Sequence, residues 1–124
     1  MSANKRNMTG AEMEAEVLAK IAAFSEENRP LAERIHQTIM EAAPSLHPRL
    51  WYGMPGYAKT KDSAVLVFFR EDETYMTFGF TESVKVTPKA DAGHLLMPCA
   101  WFFTDLDAAT EQQIAAIVAG VVAD

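Results

Sequence analysis

The chain predicts a two-layer α+β domain, and three observations carry that prediction. Apolar residues recur at helical spacing near both ends of its 124 residues. The middle switches to short, β-rich apolar runs. Capping and turn residues sit at the changes of pattern. Two N-terminal helices and one C-terminal helix are expected against an antiparallel sheet of about four strands.

The first helix opens at Thr9-Gly10-Ala11-Glu12, a capping box in which a hydroxyl and a carboxylate satisfy free amides. Met13, Val17, Ile21 and Phe24 then mark one apolar face, and the helix is expected to run to near Asn28. Pro30 suits the first turn of a second helix, where its missing N–H costs nothing. Leu31, Ile35, Ile39 and Met40 form its stripe, and Pro44 stops it.

Residues 64–69 form an apolar run, and residues 70–73 read as a hairpin tip. Met76, Phe78 and Phe80 alternate with Tyr75, Thr77 and Gly79 on the returning strand. Further strands are expected at Cys99–Phe103 and, more briefly, at Leu50–Tyr52 and Tyr57–Lys59. Pro98 marks a strand start or a sheet edge. Asp107 caps a last helix whose apolar face carries Ile114, Ile117, Val118, Val121 and Val122. Strict alternation puts Val65, Val67 and Phe69 on one sheet face and Ala64, Leu66 and Phe68 on the other. Helices cover one face; the second calls for the chain's own loops, a homodimer partner or an apolar ligand.

Size and charge exclude several classes. Residues 1–8 read as a disordered tail and 9–124 as one domain, long enough to bury roughly two-thirds of its unfolded surface without staples. Seventeen acidic residues against eleven basic ones give a net charge of -6, with pI near 5.0. Nucleic acid, which binders meet with clustered Lys and Arg, is therefore not an expected partner. No stretch approaches the roughly 18 apolar residues of a membrane helix, and no signal peptide is evident. Cys99 is the single cysteine. Together these features place the chain in a reducing cytoplasm.

The densest unusual stretch is Trp51-Tyr52-Gly53-Met54-Pro55-Gly56-Tyr57. Two glycines and a proline fix a tight backbone path, and three aromatic rings crowd it. Rings held rigidly lose little entropy on binding, so a ligand pocket is expected from Trp51, Tyr52, Met54, Pro55 and Tyr57, joined by Phe80 and Trp101. The competing expectation is that the same rings plug one end of the core.

The segments Leu31–His36, Glu41–Pro44 and Trp51–Tyr57 together resemble the YdhG-like bacterial domain of unknown function. Its hallmark is a helix ending in an Ala-Pro step, then a "YGMP" turn with an aromatic two residues later. The resemblance continues through Val67–Phe69, Thr77–Phe80 and Met97-Pro98, covering about Glu12 to Ala123. One departure is that relatives often carry a tryptophan between the residues matching Met97 and Pro98. The resemblance implies a small α+β fold with no agreed catalytic residues. It also brings a frataxin-like iron-chaperone role, described for some relatives, in which surface carboxylates hold iron.

Here the carboxylates would be Glu12, Glu14 and Glu16 on the first helix and Glu71-Asp72-Glu73 at the hairpin tip. Lys20 stands at ion-pair spacing from Glu16, so the plainer expectation is a solvated helix face. His36, His47 and His94 show no metal-ligand spacing among themselves, and only His94 lies loosely near Cys99. Cysteine catalysis would need a positioned base. Flanked by Pro98, Ala100 and Trp101, Cys99 reads instead as an inert core residue. A non-catalytic binding module is thus the first expectation, iron handling through Glu12, Glu16 and residues 71–73 the second, and a small enzyme the third.

Overall fold

The computed structural model describes residues 8–86 and 90–123. In chain order its elements are α1 (Gly10–Ala22), α2 (Arg29–Ala42), β1 (His47–Trp51), β2 (Met54–Ala58), β3 (Val65–Glu71), β4 (Met76–Phe80), β5 (Ala100–Phe103) and α3 (Ala108–Val122). The strands form one antiparallel sheet in sequence order, β1-β2-β3-β4-β5. This is the expected α+β class, with one strand more than the four expected.

Local chemistry sets the helix starts. Glu12 N–H donates to Thr9 Oγ1 at 3.1 Å, and Thr9 N–H returns a bond to Glu12 Oε1 at 2.9 Å, completing the capping box. Pro30 lies in the first turn of α2. Asp107 Oδ1 accepts the Thr110 N–H at 2.8 Å to cap α3. The first helix ends earlier than expected, at Ala22 rather than near Asn28. Tertiary contacts take the following residues: Phe24 packs on Phe69 with ring centroids 6.0 Å apart, while the Ser25 N–H and the Asn28 amide donate to Glu71. Of the tail expected over residues 1–8, residues 1–7 lie outside the described residues. Met8 itself is buried, and its carbonyl accepts Lys61 Nζ at 3.2 Å, so the packed domain includes it.

All three helices contribute to one core on one sheet face. Val17 and Ile21, Ile35 and Ile39, and Ile114 and Val118 meet Tyr57, Val67, Phe69, Met76, Phe78 and Phe80 there. The 64–69 run departs from strict alternation. Register passes from Tyr57 opposite Val67 to Ala58 opposite Val65, which leaves Leu66 as an extra residue, a β-bulge. Leu66 consequently joins the helix-side core beside Val67 and Phe69. Val65 falls on the outer face, its Cγ1 3.1 Å from where a Gly56 Cβ would stand.

Over β1, β2 and the start of β3 the outer face is covered by the chain itself, while Phe102 on β5 stays exposed there. Trp51 and Phe68 lie over the bare backbones of Gly56 and Gly79. The Arg49 guanidinium donates to the carbonyls of Lys61 at 3.0 Å and Ser63 at 2.5 Å, tying the 59–64 loop to this side. Ala58 and Val65 are buried as a result. Of the covers expected for this face, the chain's own side chains and loop supply the one over Val65 and part of the one over Phe68, and Ala64 stays exposed.

Candidate functional site

The 51–57 stretch is a β-hairpin, and its turn is only Tyr52-Gly53. Both carry positive φ, 50° and 75°, the type I′ geometry that matches the twist of the flanking strands. Trp51 pairs with Met54, and the strands alternate from there. Pro55 and Tyr57 turn to the helix side and are fully buried; Trp51 and Met54 turn outward. Tyr52 stands 84% exposed at the tip, in edge contact with Trp51 at 4.9 Å. Pro55 is accommodated inside a three-strand ladder because its missing N–H falls toward β3, where pairing begins only at Gly56.

Tyr57 is a core residue with a polar tip. Its Oη lies 2.7 Å from His36 Nδ1 on α2. Burial pushes the phenol well above its ordinary value, with the Glu14 charge adding to it. Burial also lowers His36, opposed by the same Glu14. The pair therefore meets as a neutral imidazole and a neutral phenol, which satisfies both polar groups within the core.

The seven candidate residues thus occupy three places. Trp51, Tyr52 and Met54 surround the hairpin on its outer side and tip. Pro55, Tyr57 and Phe80 lie in the core. Trp101 sits at the far edge of the sheet, on the helix side, its ring 6.2 Å from Phe78 and 5.7 Å from Phe80. A single pocket walled by Trp51, Tyr57, Phe80 and Trp101 does not form. The two-residue period puts Trp51 on the face opposite the other three.

A groove does form at Trp101. It lies between β5 and α3, has a volume of about 360 Å³, and is walled by Phe78, Trp101, Phe103, Ile114 and Ile117. Trp101 is 39% exposed, a large ring left partly open at the groove. Polar groups line one side. Asp107 and Thr110 are committed to the helix cap, whereas the Gln113 amide has no partner within the described chain. An apolar trough with one free amide fits a small, flat, mostly apolar ligand. The sequence signal for it was Trp101 followed by two phenylalanines, one turn of chain before a capped helix.

Glu12 serves the α1 cap, and its hydrogen bonds with the Thr9 backbone and side chain lower its pKa. Burial opposes ionisation of Glu71. Donors from Ser25 and Asn28, with the Lys20 charge, outweigh it and hold the carboxyl below its ordinary value. Asp72 accepts Thr77 Oγ1 at 2.5 Å and pairs with Arg70 at 3.0 Å. Glu16 makes no ion pair with Lys20 among the described residues, and lines a second groove with Arg49 and Lys61. No group of three His, Cys, Asp or Glu side chains converges among the described residues. His94 Nδ1 accepts the Leu96 N–H at 3.1 Å. Cys99, expected in the core, is exposed. It enters an edge strand where the sheet's last residues lie beyond the packed core, so its apolar neighbours do not bury it.

Fold and surface together define a two-layer α+β domain with an aromatic groove at one sheet edge. No family model, curated protein or solved structure matches the chain.

Proposed function

We infer that this protein is a non-catalytic binding module whose ligand site is the β5–α3 groove, and that its ligand is a small planar apolar molecule with one hydrogen-bonding group. The observation that carries the reading is Trp101: its ring packs against Phe78 and Phe80 yet stays 39% exposed beside an apolar trough. Aromatic walls supply affinity through area and ring stacking, and the Gln113 amide supplies orientation. Trp51 and Tyr52, the rings first expected to bind, contribute at most a separate surface on the hairpin. Kinship with the YdhG-like domain belongs to the same proposal and rests on the Trp51–Tyr57 hairpin and the Thr77–Phe80 strand.

The test is a titration with indole followed by two-dimensional amide NMR. The chain has two tryptophans, so their side-chain N–H signals separate the sites. The Trp101 signal should move and saturate while that of Trp51 stays in place, and Gln113→Ala should weaken binding by about fivefold, the loss of one hydrogen bond. A titration that leaves Trp101 unmoved, or moves only Trp51, would overturn the reading.

A further inference from the structure

We propose that β5 is the subunit interface of a symmetric homodimer, in which two copies pair β5 with β5 antiparallel about an axis at Trp101. β1, at the opposite side of the sheet, is packed by α1, with Gly10 approaching His47. Among the described residues β5 has one strand neighbour, β4, and the segment 95–103 leading through it carries no charged residue. Bare edges are normally blunted by a lysine, a bulge or a covering element, because their free N–H and C=O groups template another strand. Among the described residues Ala100–Phe103 has no charge, bulge or covering element, and its guards are its shortness and the preceding Pro98.

The hydrogen-bond parity selects a register. The Phe80 N–H donates to the Cys99 carbonyl at 2.8 Å, so Cys99 and, by alternation, Trp101 turn their backbone groups toward β4. Ala100 and Phe102 then direct theirs outward. An axis at Trp101 sets Ala100 opposite Phe102 of the second copy, and Phe102 opposite its Ala100. Both pairs are of the hydrogen-bonded kind, giving four backbone bonds. Pro98, which has no N–H, ends the ladder on each side. The two Trp101 side chains stand next to each other on the helix side.

Area supports the same occupant. Leu95 is 83% exposed, Leu96 76%, Met97 46%, Trp101 39% and Phe102 65%. Taking roughly 200 Å² for a large side chain, these expose about 600 Å² per copy, the most that the side chains of this strip, including those flanking the ladder, can bury. A stable interface uses roughly 800 Å² per partner. Each copy carries a net charge of -6, so association is opposed at long range and made possible by the neutrality of this strip.

Sedimentation velocity on the full chain tests the proposal independently of ligand binding. The expected result is a species of twice the 13.7 kDa chain mass, populated at micromolar concentration and strengthened by added salt. Ala100→Pro removes an outward N–H that the subunit's own sheet does not use, and Leu96→Lys charges a side chain that is 76% exposed in the single copy. Each should weaken the dimer by about tenfold or more, with the far-ultraviolet circular dichroism unchanged. A monomer at all concentrations, or a dimer indifferent to folded Leu96→Lys and Ala100→Pro, would overturn the proposal.

Discussion

His36 and Tyr57 form the buried polar contact with the clearest consequence for pH. Burial lowers the His36 pKa in the folded chain from an unfolded value near 6.5. Between the two values the unfolded chain binds more protons, so stability rises with pH there. The contribution is complete above the unfolded value and is lost as pH falls through it toward the folded one. Glu12, Glu71 and Asp107, whose carboxyls are all lowered, act in the more acid range below their ordinary values. The window just below the ordinary histidine value of about 6.5 therefore reports His36. Thermal melts should show the melting temperature falling across that window in the native sequence and less steeply in His36→Gln, whose amide can still bond the phenol. Equal slopes would mean the imidazole is not desolvated. None of this was visible at Tyr57 in the sequence, where a ring in an aromatic turn suits a pocket wall and a core plug equally well.

Among the elements, three glycines separate space from backbone strain. At Gly79 an added Cβ would stand 2.7 Å from the Cys99 carbonyl oxygen and 3.0 Å from Ala100 Cβ, so β4 and β5 would have to part. Gly79→Ala should cost about 1–3 kcal/mol, as overpacking does. At Gly53 nothing lies within 4 Å, but φ is +75°, and Gly53→Ala should cost about 1 kcal/mol for the left-handed conformation alone. At Gly120, inside α3, there is neither neighbour nor positive φ, and Gly120→Ala should stabilise by about 0.5–1 kcal/mol. Urea titration of the three variants gives the order directly, and a neutral Gly79→Ala would show that β5 is not held close to β4.

For the molecule as a whole, the arrangement of carboxylates bears on iron. Glu12 is bound in a helix cap, Glu71 receives the Ser25 and Asn28 donors, and Asp72 is paired with Arg70 and Thr77. Each would have to give up those partners to bind a hard cation, which prefers several oxygen ligands at once. Calorimetry with ferrous iron should therefore show no stoichiometric binding tighter than the millimolar range, and Glu12→Gln with Glu16→Gln should leave the trace unchanged. A saturable micromolar isotherm abolished by that double variant would restore the iron-handling reading.

The sequence by itself determined the helix starts, because Thr9, Pro30 and Asp107 act on amides within a few residues of themselves. It also determined the α+β class, since apolar period is a local property of the chain. Tertiary structure decided the rest. Whether Leu66 faces inward depends on a bulge set by pairing with β2, and a one-residue slip moves a side chain to the other face. Whether Cys99 and Trp101 are buried depends on how far the helix layer reaches across the sheet. Two apolar neighbourhoods that read alike along the chain, the hairpin at 51–57 and the strand at 100–103, end in opposite environments. One closes over its own glycines. The other meets solvent at an edge that no element of the described chain pairs.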